Sequence, residues 1–189
     1  MVAADGLPRC AWATSTAEYL AYHDEEWGRP VRDDDPLYER LTLEAFQSGL
    51  SWLIILRKRP AFRAAFAGFA IEAVAAFGPA DVQRLLADPG IVRNRAKIEA
   101  AISNARAAAD VPDGLANLLW SYAPPPRKAR PRSFADVPAS TPESAALAKD
   151  LKRRGFRFVG PTTAYALMQA TGMVDDHLAG CHLGGPAGA

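Results

Sequence analysis

Alanine supplies 38 of the 189 residues, whereas Val, Ile and Thr together supply 22. Ala loses no side-chain entropy in a helix, and β-branched residues are the ones that fill pleated sheets. The imbalance predicts an all-α fold. The length fits one domain, 1–189, with room for two helical lobes. A chain that is 49% hydrophobic and 23% charged can bury a core, which excludes wholesale disorder. The small, Gly/Ala-rich ends at 1–6 and 184–189 are expected to be flexible.

Apolar spacing places the helices. Ala17–Tyr22 reads as a short one, and acids at 33–35 followed by Pro36 mark the start of a longer one. Leu37, Leu41, Phe46, Leu50, Leu53 and Ile54 recur at helical intervals, with Gly49 as a break. Further helices are predicted at 60–66, 71–77, 80–87, 93–108 and 115–122. Pro124–Arg132 holds four prolines and four cations and reads as a surface loop. Thr141-Pro142 is a cap followed by Pro at the first helical position, and that helix should run to Arg154. Gly160 opens a last helix to about 172.

Net charge is +1, so any attraction to nucleic acid or membrane must be local. Two cysteines cannot build a disulfide framework, the N-terminus lacks the order of a signal peptide, and no apolar run approaches the ~18–20 residues of a membrane span. A soluble, cytoplasmic protein is expected.

One Cys/His pair lies near each end of the chain: Cys10 with His23, and His177 with Cys181. The second pair stands at i, i+4, on one face if that segment is helical. Four such ligands suit a closed structural Zn²⁺ site, which would tie the ends together and leave no place for a catalytic water. Spacing alone equally allows two buried thiols and two ordinary histidines. His182 is a competing ligand with poorer spacing.

The segment 151–164 joins two predicted helices through a glycine-bounded turn. Gly155 can end one helix in a left-handed conformation, and Gly160 leaves room for a phosphate at the N-terminus of the next. Lys152, Arg153, Arg154 and Arg157 surround it. This has the form of a helix-hairpin-helix gripping a DNA backbone; the alternative is an ordinary αα turn with solvated charges. Arg57-Lys58-Arg59 and Arg93/Arg95/Lys97 read as solvated helix faces that add phosphate contacts at most.

Three of the four tryptophans, Trp12, Trp27 and Trp52, lie in the first 52 residues, with Tyr19 and Tyr22 among them. Glu44 sits inside an apolar run, eight positions from Trp52, so the two share a face if no break intervenes. A carboxylate among aromatic rings suits a flat, cationic, hydrogen-bond-donating ligand such as an alkylated nucleobase. The alternative is aromatic core with Glu44 exposed or paired.

The segments Arg9-Cys-Ala-Trp12, Tyr22-His-Asp-Glu-Glu-Trp27, Leu43 to Trp52, Gly90 to Ile98, Lys152 to Gly160 and Val174 to Cys181 run in order along nearly the whole chain. Together they resemble the DNA-3-methyladenine glycosylase I family of the helix-hairpin-helix glycosylase superfamily. The resemblance implies zinc ligands at Cys10, His23, His177 and Cys181. It implies a base pocket at Glu44, Tyr22 and Trp52, with Trp12, Tyr19 and Trp27 close by. Leu50 would fill the gap left in the duplex, and the turn with Gly155, Arg157, Phe158, Gly160 and Thr162 would anchor the backbone. Thr162 stands where bifunctional relatives carry a lysine, which implies a monofunctional enzyme. Its partner would be double-stranded DNA containing alkylated adenine, and a monomer is the default expectation.

Two departures stand out. Asp175 occupies a position that is usually an amide in the family and a catalytic aspartate in the wider superfamily. It reads as a helix cap beside the zinc site, with a catalytic acid as the alternative. Pro161 removes one backbone donor from the anchor. The residues alone also leave open a non-catalytic lesion-binding module, a relative acting on another damaged base and, least favoured, a zinc hydrolase.

Overall fold

The computed structural model describes residues 5–183; the ends expected to be flexible therefore lie mostly outside the described residues. Of them, Asp5 is held by Arg9 at 2.8 Å. Among the described residues there is no β-strand. The helices are α1 (Ala17–Glu25), α2 (Asp34–Gln47), α3 (Trp52–Ala65), α4 (Ile71–Ala75), α5 (Pro79–Ala87), α6 (Arg95–Ala109), α7 (Gly114–Trp120), α8 (Pro142–Arg153) and α9 (Pro161–Ala170). None is long and apolar enough to cross a membrane.

Helix α2 is the centre of the molecule. Every residue from Leu37 to Phe46 is buried, and α3, α6, α7 and α9 pack around it. An all-round buried helix is ordinarily apolar, yet α2 carries Glu39, Arg40 and Glu44. Two of these are paired. Glu39 Oε1 accepts from Arg59 Nε at 2.5 Å and Arg63 Nε at 2.9 Å, while Arg40 binds Glu26, which also takes Arg59 Nη1 at 2.7 Å. Glu44 receives no hydrogen bond among the described residues, and that contrast singles it out before any functional argument.

The sequence-based boundaries hold to within a few residues, with physical exceptions. The long apolar run does break at Gly49 (φ +81°), so Glu44 and Trp52 lie on two helices rather than on one face. No separate helix begins at Pro60. It sits inside α3, whose Ile55, Arg59, Phe62 and Ala65 are buried, and tertiary packing outweighs proline's usual cost. The basic clusters are solvated faces only in part: Arg57, Arg93 and Arg95 are exposed, but one member of each cluster is not. Arg59 is buried in the ion-pair network, and Lys97 donates to Phe46 O (2.9 Å) and Ser48 O (2.5 Å) at the end of α2.

Pro124–Arg132 is irregular as expected, but it is a strap rather than a free surface loop. Pro131 O accepts from Ala179 N at 2.7 Å, and Arg130 donates to His177 O at 3.2 Å and to Cys181 O at 3.3 Å. Arg127 reaches Asp176 at 3.0 Å. The segment 175–181, read above as potentially helical, has no regular structure; this strap holds it in place of a helical ladder.

Candidate active site and metal centre

Trp12 comes from the 3-10 turn Ala11–Thr14, Tyr19, Tyr22 and Trp27 from α1 and its exit, Glu44 and Gln47 from α2, and Trp52 from the start of α3. They enclose one cavity of about 320 Å³, completed by Ser15, Phe134, Ala166 and Gln169. That size suits a purine ring system. Trp12 stands edge-on to Tyr19 (5.7 Å between centroids) and to Trp27 (5.2 Å), and Tyr22 lies 5.5 Å from Trp52. Tyr19 Oη accepts from Leu53 N at 3.0 Å, which fixes α1 against the first turn of α3. Edge contacts and this tie hold the rings as walls, leaving faces free for a ligand.

The six pocket residues taken from the sequence thus gather in one place. Ser15, Gln47, Phe134, Ala166 and Gln169 were missed, because nothing in their local sequence separates them from ordinary loop and helix positions; only the packing of α9 on α2 brings Gln169 to the same cavity.

Glu44 is 6% exposed. Burial pushes its carboxyl up to about 8, opposed only by the charge of Arg40 one turn earlier. Burial likewise raises the Tyr22 phenol, helped by the Glu44 charge. Trp52 Nε1 is buried and unpartnered, as is Arg40 Nη1 behind the wall. A carboxyl group, an indole N–H and several π-faces without internal partners make a site built to satisfy an incoming ring.

At the opposite side of Trp12 and Trp27, segments 8–10 and 177–182 meet. The side-chain donor atoms of Cys10, His23 and Cys181 all lie within 4.8 Å of one another. Cys181 Sγ is 3.5 Å from His23 Nε2, and Cys10 Sγ accepts from Leu178 N at 3.4 Å. Burial pushes the Cys10 thiol up to about 11. His177, the fourth expected ligand, falls outside that triangle, but its ring is 5.2 Å from His23 and its Nε2 is buried without a partner. Each histidine has its Nδ1 on a carboxylate: His23 on Asp24 and His177 on Asp175, both at 2.7 Å. Those bonds fix the tautomers that leave Nε2 free as a lone-pair donor. Asp24 is in turn gripped by Arg9 (Nη2–Oδ2 2.7 Å), which holds its carboxyl well below the usual range.

Gly28 makes this possible locally. It has φ +78°, and a Cβ there would fall 2.6 Å from His177 Cε1. His182 turns to Asp24 at 3.6 Å instead of joining the cluster. Asp175 caps no helix; its Oδ1 also accepts from His177 N at 3.0 Å, and it is absent from the cavity lining.

On another face, α8 and α9 pack together across the turn 154–160. Gly155 takes φ +94° and the exposed Phe158 φ +59°. Asn104 on α6 braces the turn by bonding Arg157 N (2.7 Å) and O (3.0 Å). Two of the four cations expected to surround it are diverted, since Arg153 and Arg154 both pair with Asp150. Lys152 and Arg157 have no ionic partner among the described residues. Gly160 begins α9 with no side-chain cap, and Thr162 follows Pro161 in its first turn. Leu50, in the turn between α2 and α3, is 37% exposed.

A family model described as methyladenine glycosylase matches residues 12–184. The chain is 44% identical over 179 residues to DNA-3-methyladenine glycosylase 1 of Escherichia coli (strain K12), covering 93% of this chain and 96% of that protein. A crystal structure of 3-methyladenine DNA glycosylase I superposes with a TM-score of 0.90 at 45% identity, over 94% of this chain and all of the other. A tyrosine-to-phenylalanine variant of 3-methyladenine DNA glycosylase I in complex with 3-methyladenine superposes with a TM-score of 0.87 at 36% identity, over 92% of this chain and 96% of that one. Matched along nearly its whole length in sequence and in backbone, this chain belongs to the methyladenine glycosylase family.

Proposed function

We propose that the protein hydrolyses the N-glycosidic bond of 3-methyladenine in alkylated double-stranded DNA, acting as a monofunctional glycosylase. The observation that carries this is Glu44, a buried carboxyl without a hydrogen-bond partner in a cage of Trp12, Tyr19, Tyr22, Trp27 and Trp52. Adenine alkylated at N3 is a cation in DNA, so its glycosidic bond is weak and the base leaves neutral. Little acid catalysis is required. The protein must extrude the nucleotide and hold the base. The ring faces attract the cation by ~2 kcal/mol or more when desolvated. Glu44 accepts from the base edge, including the exocyclic amine, and water captures the sugar cation. Unmethylated adenine gains less from both terms.

The turn between α8 and α9 is read as a helix-hairpin-helix anchor. The backbone N–H groups from 158 to 160, with Arg157 and Lys152, face a phosphate, and Leu50 enters the gap in the duplex. Thr162 offers no amine for a Schiff base, so an abasic site is left intact. Cys10, His23, His177 and Cys181 fit a structural Zn²⁺: two thiols, two imidazoles with Nδ1 already engaged, and the orphaned Nε2 of His177. The ion would supply cross-linking alone. Asp175, whose carboxylate serves His177, orients that ligand. The protein works as one domain and as a monomer.

The test is release of 3-methyladenine from methylated duplex DNA, run beside Glu44→Gln. The parent should release the base, and the variant should lose at least ~100-fold in rate while binding duplex nearly as well. Equal rates would remove Glu44 from the site, and a stable parent that releases nothing would overturn the activity.

A further inference from the structure

The lining of the cavity carries a second polar group whose orientation is fixed from behind. Gln169, on α9, donates its Nε2 to Asp176 Oδ2 at 2.8 Å. Asp176 is 3% exposed, also accepts from Tyr165 Oη at 2.5 Å, and faces Arg127 Nη2 across 3.0 Å. Arg127 further donates to Tyr165 Oη at 2.8 Å. A carboxylate ion-paired to an arginine is an acceptor only, so the Gln169 amide must turn its N–H₂ toward Asp176. Its Oε1 then points away, and no described residue donates to it. Since Gln169 lines the cavity, that oxygen is a fixed acceptor on the ligand's side.

We propose that Gln169 is a specificity-determining residue, whose Oε1 accepts from the exocyclic amine of the alkylated adenine. This inference rests on the reading of the cavity as a 3-methyladenine site and deepens it. Glu44 on α2 and Gln169 on α9 present acceptors from two helices. An exocyclic amine has two N–H bonds to offer. A purine carrying a carbonyl at that position offers none and sets oxygen against oxygen, and the Asp176–Arg127–Tyr165 cluster prevents the amide from turning over to accommodate it. Rejection of the wrong base therefore comes from an unrelieved acceptor pair rather than from size.

The experiment measures release of 3-methyladenine and of 3-methylguanine from the same methylated duplex. Gln169→Met, which keeps length and removes the acceptor, should lower 3-methyladenine release roughly three- to tenfold. Release of 3-methylguanine should not fall, so the ratio of the two shifts toward guanine. Asp176→Asn frees the amide to rotate and should shift the ratio in the same direction. Gln169→Met decides the question on its own if Asp176→Asn does not fold. An unchanged ratio in a folded Gln169→Met protein overturns the inference while the parent's activity stands. Absence of 3-methyladenine release by the parent overturns the function reading itself.

Discussion

At the residue scale, the charged members of α2 show how burial sorts roles. Glu39 and Arg40 are neutralised within a network that also contains Glu26, Arg59 and Arg63, whereas Glu44 is left to the cavity. Its carboxyl, raised to about 8, remains protonated in the folded chain where the unfolded chain ionises near 4.5. The folded state thus binds the extra proton, and stability falls as pH rises through that window. Glu44→Gln should melt higher than the parent, with the difference growing from pH 5 to pH 8 toward a few kcal/mol. Thermal melts across that range check it. The same proton must leave before a cationic base can be paired, so kcat/KM should climb about tenfold per pH unit and level off near 8. The Gln variant should show no such climb. Two opposite slopes from one group, activity rising and stability falling, are a signature that a remote structural role does not give.

At the element scale, the turn between α2 and α3 carries Leu50 and delivers Trp52 to the cavity, and Lys97 on α6 holds it by two carbonyls. The ammonium sits where the helix C-terminus concentrates negative charge. Lys97→Met should cost about 1–3 kcal/mol of stability and weaken binding to a duplex with an abasic-site analogue, where Leu50 is engaged. Unaltered melting and unaltered duplex affinity would show the turn to be self-supporting. Helix positions were legible in the sequence because apolar periodicity, caps and Pro or Gly punctuation act locally. Lys97, Arg59 and Arg127 were not legible as structural groups. Their charges are answered by carbonyls and carboxylates from 20 to 51 residues away, and local composition holds no trace of such partners. The strap at 124–132 illustrates the same limit: its prolines correctly forbid a helix, but say nothing about what its arginines bind.

At the scale of the whole molecule, the cavity and the Cys/His cluster share the walls formed by Trp12 and Trp27. Trp27 contacts His177 at 4.7 Å, and Trp12 lies 5.3 Å from His23. The members of the Cys/His cluster were legible from the sequence because soft donors are few in this chain. The carboxylates behind them were hidden: Asp24 and Asp175 look like ordinary surface acids until the fold turns them onto imidazole nitrogens. With the proposed zinc in place, one ion per chain should survive dialysis, and Cys10→Ser should lower both zinc content and melting temperature. Elemental analysis and calorimetry measure the two together. A folded parent free of metal would remove the ligand assignment without touching Glu44.

Residues 8 and 182 are joined by a backbone hydrogen bond of 2.9 Å beside that cluster. Trp12, the first ring of the cage in chain order, is therefore braced by a segment about 170 residues further along. A nascent chain cannot hold a damaged base until the segment around Cys181 has emerged, and truncation shortly before Cys181 should abolish base recognition as thoroughly as deleting the cage itself.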